Sequence, residues 1–363
     1  MKINKLKLQN FRLFENEIFK AGSNVNLIVG ANAQGKTTLL EAIHLISIGR
    51  SLKTKLNKEL ISFNKNYFFL QAYTSNNLSD LDIKFGFSEK GRKISVNNEL
   101  KYSLVDFIGK IDSVLLTSDD FTLVTGPPEN RRKFLDIQLS QANSNYLFDL
   151  KNYHRVLRHR NILLKKRHFN AQELNAWTKE LIHYGSAVIM ARKTVMIALN
   201  KLTNYFLKKI SLNSEILEIQ YKTSIDGESL SQIKQNFTHL IKKHAPKEQL
   251  MRYTLIGPHR DDLLFKLNNI PARKYASKGQ LKSIAISLKL AEAYHLKERK
   301  NYWPVLLIDD IFSELDHKRQ QITVDFFNKK QQIFIAATTN LKHLNFNKNL
   351  DIKTCNITNG RFH

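Results

Sequence analysis

The chain has 363 residues, 42% of them hydrophobic, with 57 lysines and arginines against 32 acids and a formal charge of +25. That length allows two or three globular units, each with a sizeable core. The single cysteine, Cys355, excludes an internal disulfide and any multi-cysteine zinc site, and no apolar run approaches the ~20 residues of a membrane span, so a soluble, cytoplasmic protein is expected. The basic balance points to a polyanionic partner, nucleic acid ahead of a membrane surface. A lysine-rich solvated surface is the plainer alternative.

The opening residues, MKINKLKLQNFRLFENE, alternate polar and apolar. They do not read as a signal peptide. Ile3, Leu6, Leu8 and Phe11 predict a strand, and Val25–Val29 a short β-rich run ending at Gly30. Leu39, Leu40, Ile43 and Ile46 then recur at helical spacing. Residues 66–73, 80–87 and 92–96 read as strands, and another begins at Ser113. After Gly126-Pro127-Pro128 the chain reads as mostly helical from 130 to about 245. Strand-like text returns at 252–268, Val305–Ile308 and Gln332–Ala337. There is no internal repeat, and no sustained heptad that would predict a long coiled-coil arm.

Gly30-Ala31-Asn32-Ala33-Gln34-Gly35-Lys36-Thr37, followed by Thr38, fits the phosphate-loop pattern G-x-x-x-x-G-K-[ST]. A β-rich run precedes it and an amphipathic helix follows, as the chemistry requires. Backbone N–H groups converge on phosphate oxygens, and the helix N-terminus adds its positive end. Lys36 would neutralise the β- and γ-phosphates, and the Thr37 hydroxyl would coordinate Mg²⁺. Asp309-Asp310 closes the apolar strand 305–308. Its first acid suits a Mg²⁺ site and its second the base for an attacking water; alone, the pair is also an ordinary acidic turn. Ser313-Glu314-Leu315-Asp316 follows and, alone, is a plain helix cap.

Ser277-Lys278-Gly279-Gln280 opens a helix with an apolar stripe of Leu281, Ile284, Ala285, Leu288 and Ala291. Taken together, the phosphate loop, the Ser-x-Gly-Gln helix, the Asp-Asp strand and Ser-x-Leu-Asp resemble the ABC-type ATPases. Gln9-Asn10-Phe11-Arg12, GPPENRRKFLD (126–136), GPHRDDL (257–263) and PVLLIDDIFSELD (304–316) narrow the resemblance to the RecF family of bacterial recombination repair. These blocks span nearly the whole chain. The resemblance implies an α/β ABC-type P-loop ATPase head with a mixed sheet and an inserted helical second lobe. The divisions expected are 1–115, the first part of the head; 116–295, the helical lobe with the signature motif; and 296–363, the rest of the head.

The resemblance further implies ATP and Mg²⁺ as cofactors and an ATP-dependent homodimer. It implies binding to gapped DNA or to single-/double-stranded junctions, and partnership with RecR and RecO in loading RecA. Ser277, Gly279 and Gln280 would then face the partner's γ-phosphate, and Arg12 would lie near the nucleotide. The chain departs from the wider pattern at two places. Asp310 stands where many such ATPases have Glu, so its shorter side chain implies slow hydrolysis and a switch rather than a motor. Thr339, in the Ala337–Asn340 segment, stands where transporter ATPases offer His. Gln71 is a candidate for the glutamine-loop position.

Residues 151–168 carry Lys151, Arg155, Arg158, Arg160, Lys165, Lys166 and Arg167 and no acid. On a helix, Lys151, Arg155, Arg158, Lys165 and Lys166 fall on one face, with Tyr153, Val156, Leu157, Leu163 and Leu164 opposite. Such a face would meet DNA phosphates without reading bases, or is simply solvated. Arg260 with Asp261 and Asp262 is equally a structural ion network or a site, and a buried His259 either packs or relays. Three rivals are a DNA scaffold that binds ATP without hydrolysing it, the ATPase subunit of a membrane transporter, and a phosphate-loop kinase. The 273 residues between Lys36 and Asp309 exceed a transporter module, and a kinase would not need Ser277-x-Gly279-Gln280.

Overall fold

The alternation at the start of the chain forms β1 (Lys2–Phe11), and a bulge between Ile3 and Lys5 resets its phase so that Ile3, Leu6 and Leu8 all turn inward. The computed structural model describes residues 1–75, 80–166, 168, 170–312, 315–327, 330–339, 341 and 343–363. Next come β2 (Phe14–Lys20), β3 (Val25–Val29), α1 (Lys36–Ile48), β4 (Tyr67–Ser75), β5 (Asp80–Ser88), β6 (Gly91–Val96), β7 (Glu99–Leu100) and β8 (Ser113–Thr117). They are followed by α2 (Thr122–Thr125), α3 (Pro128–Ala142), α4 (Ser144–Lys165), α5 (Ala171–Ile210), β9 (Leu217–Lys222) and α6 (Leu230–Met251). The chain then forms β10 (Asp262–Leu267), β11 (Ile270–Pro271), α7 (Ala272–Tyr275), α8 (Lys278–Lys300), β12 (Val305–Asp309), α9 (His317–Asp325), β13 (Ile333–Ala337), β14 (Ile352–Thr358) and β15 (Arg361–Phe362). Ser313, Glu314, Arg167 and Asn340 lie outside the described residues.

One unit comprises Met1–Phe121, Tyr205–Ser214 and Lys278–His363. It holds two sheets. The antiparallel one has the order β2-β1-β4-β5-β6-β7, and the mainly parallel one β15-β14-β3-β13-β12-β8. Helix α1 touches strands of both sheets and is buried on 11 of its 13 residues, which is why it reads as more apolar than a surface helix. Rings bridge the sheets: Phe19 meets Phe334 and Phe362, and Phe362 stacks on Phe14.

The other unit comprises Thr122–Asn204 and Glu215–Ser277. Its helices accompany the three-stranded sheet β11-β10-β9. Strand β9 interrupts a stretch expected to be helical, and only 262–267 of the strand-like text at 252–268 forms a full ladder. Helix α6 runs through Pro246 to Met251. The proline removes one helix hydrogen bond, and water can satisfy the freed carbonyl at exposed Lys242.

The boundary expected at 295 falls at 277/278 instead: α8 belongs with the first unit. It packs against β8, and its buried Lys289 pairs with Glu292 at 3.3 Å and with Asp120 at 3.8 Å. Helical text alone does not say which core a helix joins. The GPHRDD network also differs from expectation. Arg131 forks onto Asp262 (2.6 and 3.0 Å), Arg132 donates to the Asp261 carbonyl, and Arg192 binds Asp136 at 2.7 Å and lies 3.7 Å from Asp261. Arg260 sits over the Tyr253 ring instead. Buried Arg160 pairs with Glu248 at 2.6 Å. Removing one partner of such a pair costs about 3–5 kcal/mol. His259 bonds Tyr153 at 2.5 Å and the Thr254 carbonyl at 3.2 Å, and burial lowers its pKa to about 4, so it is held neutral as a packed hydrogen-bonding ring.

In the first unit, burial pushes the Asp112 carboxyl up to about 6, although the Tyr302 hydroxyl donates to it at 2.7 Å and Lys300 pulls the other way. A raised folded-state pKa means the native protein holds this proton more tightly than the unfolded chain. Its contribution is therefore full below about pH 4 and is lost as pH rises through about 6, amounting to about 3 kcal/mol. An Asp112→Asn variant should gain stability relative to wild type by about 2 kcal/mol between pH 4.5 and 7.5, the larger part of this window. Parallel urea-unfolding curves for the two proteins across that range would reject the assignment.

Candidate active site

Strand β3 runs into the glycine-rich loop because parallel pairing fixes its end beside β13, where Gly30 N–H donates to the Ala337 carbonyl. Gly35 caps α1 at φ +117°, a conformation strained for any side chain, and at Gly30 a Cβ would lie 2.5 Å from the Ile357 carbonyl. Ala33 also has positive φ. Positive φ at Ala33 and Gly35 winds the loop into the kind of tight turn that phosphate-binding loops use.

Lys36 donates to the Gly30 and Ala31 carbonyls at 2.7 and 2.8 Å, fastening the loop. Burial lowers its pKa, while Asp310 and Asp309 oppose that shift. The Thr37 hydroxyl donates to Asp309 Oδ1 at 2.9 Å across 272 positions of sequence. Burial raises the Asp309 carboxyl, with the Thr37 hydrogen bond and the Lys53 charge opposing. Asp310 adopts the left-handed backbone, φ 52°, with its N–H on the Ala336 carbonyl. That turn takes it out of the ladder and into the wall of the cavity.

The cavity is about 760 Å³, within the range of nucleotide-sized sites. Asn32, Ala33, Gly35, Lys36, Thr37, Thr38, Asp309, Asp310 and Arg12 line it. Arg12 forks onto buried Glu41 at 2.5 and 3.0 Å, and the Ser51 hydroxyl donates to the same carboxylate. Lys53, Lys58, Phe63 and Lys65 line the cavity as well, and no motif of the sequence marks them. The only signal nearby is the clustered lysines of SLKTKLNKEL.

Gly30, Ala31 and Gln34 do not line the cavity. Gln34 faces the C-terminal hairpin, accepting from Asn359 N–H at 2.6 Å through its side chain and from Gly360 N–H at 3.0 Å through its backbone. Gln71 binds Tyr73 and Asp82 within its own sheet and does not line the cavity. Thr339 is exposed and also absent from the cavity wall.

Ser277, Gly279 and Gln280 do not line the cavity either. Ser277 is exposed at the start of α8. Gly279 lies against Arg319, where a Cβ would be 3.0 Å from Nη1, and Arg319 pairs with Asp316 at 2.9 Å. On α4, Lys151, Arg155, Arg158 and Lys165 are exposed, as is Lys166 just beyond. Tyr153, Val156, Leu163 and Leu164 are buried and Leu157 is partly so. The expected division of the helix into two faces therefore holds, and Arg160 falls on the buried side because it serves Glu248.

The AAA domain family matches residues 5–249. The DNA replication and repair protein RecF of Natranaerobius thermophilus is 35% identical over 97% of this chain and 94% of its own length, and that of Streptococcus agalactiae is 38% identical over 95% and 93%. A solved structure described as the recombination mediator protein RecF-ATPrS in the RecFOR pathway superposes with a TM-score of 0.90 at 31% identity, covering 99% of this chain and 97% of that one. An Smc head bound to the C-winged helix domain of ScpA shares the fold at a TM-score of 0.56 and 16% identity. With a mixed-sheet α/β head, a cavity walled by its phosphate loop and paired acids, and relatives aligned over nearly their full length, the chain belongs to the RecF family.

Proposed function

We propose that this chain is an ATP-driven switch of DNA replication and recombinational repair, which dimerises on gapped or junction DNA. The observation that carries the reading is the 2.9 Å bond between Thr37 and Asp309. It sets two hard oxygen donors, of the kind Mg²⁺ takes, beside Lys36 in a cavity of nucleotide size. A Mg²⁺ ion bound there would offset charge on the β- and γ-phosphates. Lys36 would meet the same phosphates, Arg12 would lie near the nucleotide, and Asp310 would accept the proton of an attacking water. The Ser277-x-Gly279-Gln280 end of α8, which does not line its own chain's cavity, suits the γ-phosphate held by a second copy. RecR and RecO, with RecA loading as the outcome, are the partners this reading implies.

Sedimentation with ATP and Mg²⁺ tests the dimer. Wild type should pass from monomer to dimer, more so with gapped DNA. Lys36→Met should stay monomeric for want of nucleotide, and Ser277→Arg should bind ATP yet remain monomeric. A wild type that is monomeric under every condition rejects the switch. Asp310→Asn should lower DNA-stimulated turnover by roughly 10²–10⁴-fold, the usual contribution of a positioned base. Full turnover in that variant removes Asp310 from the chemistry, and no turnover in wild type leaves a binding scaffold. For the α4 face, Arg155→Glu, Arg158→Glu and Lys165→Glu together should weaken duplex binding and flatten its salt dependence. Unchanged affinity would assign those charges to solvent.

A further inference from the structure

The antiparallel sheet of the first unit packs one face on the core through Leu6, Leu8, Phe68, Leu70, Ile83 and Phe85. The other face is open, and such a face ordinarily carries polar side chains. Here β4 places Tyr67, Phe69 and Tyr73 on it, at every second residue but for Gln71. Tyr67 and Tyr73 are 42% and 40% exposed. Both rings are oriented across the neighbouring strand rather than free. The Tyr67 hydroxyl accepts from Gln9 at 3.0 Å, and the Lys5 ammonium sits 5.6 Å from the centre of the Tyr73 ring. Gln71 steadies Tyr73 from the same strand, donating to its hydroxyl at 2.8 Å.

Lysines surround these rings. The register puts Lys20 opposite Lys5, Lys5 opposite Tyr73, Lys7 opposite Gln71, Gln71 opposite Lys84, and Gly86 opposite Lys93. Among the described residues, Lys5, Lys7, Lys20 and Lys93 have no ion pair. On this face Asp82 is engaged by Lys84 at 3.3 Å and by Gln71 at 2.8 Å, and Asp80 stands at its edge opposite Ser75. An apolar partner would not want four unpaired cations. A rigid duplex, with its bases stacked inside, would have no use for the rings. A single strand uses both, with unstacked bases on the aromatic faces and phosphates on the flanking lysines. Successive outward positions on a strand lie about 7 Å apart, so Tyr67 and Phe69 are spaced as separate stacking sites.

We infer that this open face is a stacking platform for single-stranded nucleic acid, separate from the basic face of α4. The inference deepens the DNA-binding reading by assigning the unpaired strand its own site, and it stands whether or not α4 meets the duplex.

The test is fluorescence anisotropy with a labelled oligothymidine of about 16 nucleotides and, separately, a mixed-sequence duplex. Tyr67→Ala with Tyr73→Ala should weaken oligothymidine binding at least about ten-fold and leave duplex affinity unchanged, which also reports a folded protein. Tyr67→Phe with Tyr73→Phe keeps the rings and should retain most of the affinity. Lys5→Glu with Lys7→Glu, which leaves every ring in place, should flatten the slope of log affinity against log salt by roughly 1.4 for the single strand. The α4 charge reversal should act on the duplex instead, so failure of one site is distinguishable from failure of the other. Unchanged oligothymidine binding in both the alanine and the glutamate variants overturns the platform. So does an alanine variant that keeps oligothymidine binding but loses ATP-dependent self-association, which would make the face a contact between copies.

Discussion

The site depends on parallel pairing in register. Ala336 of β13 is opposite both Ile28 of β3 and Asp309 of β12. Three segments, one of them hundreds of residues from the other two, therefore end at one level, and whatever follows each strand emerges at the same edge. Open α/β sheets bind ligands outside the carboxyl ends of their strands for this reason. The phosphate loop follows β3 and Asp310 follows β12, so the Thr37–Asp309 bond records an alignment already made by the ladder. A slip of one residue would turn Asp309 to the opposite face and dissolve the site.

Around that edge, charge is handled by confinement. Lys36, Asp309 and Glu41 are each drawn from water, and each is met by a specific polar group: the loop carbonyls, Thr37 and Arg12. The C-terminal hairpin adds a second restraint, because Gln34 is tied to Asn359 and Gly360. The loop is thus clasped from both sides, which limits its freedom before any phosphate arrives, and preorganisation of this kind reduces the cost of binding.

The two proposed nucleic-acid surfaces rest on different physics. On α4 the cations stand on a helix whose other side is buried, a geometry suited to backbone phosphates. On the open sheet the cations flank aromatic rings, a geometry that needs bases free of their stack. The proposed action at junctions of single and double strands would use both.

Much of this was legible in the sequence because it is local. Strand alternation, the helical spacing after Gly35, the loop's glycines and the Asp309-Asp310 pair are each fixed by a few consecutive residues. The two faces of α4 follow from 3.6-residue periodicity alone. What the sequence could not decide is which distant groups meet. Asp261 and Asp262 found Arg131, Arg132 and Arg192 rather than adjacent Arg260. Gln71 turned to Asp82 on the next strand, Gln34 to a hairpin 325 positions away, and α8 to the first core rather than the helical lobe. Ion pairs, ladder partners and shared cores are settled by distance in space, and only the folded chain sets that distance.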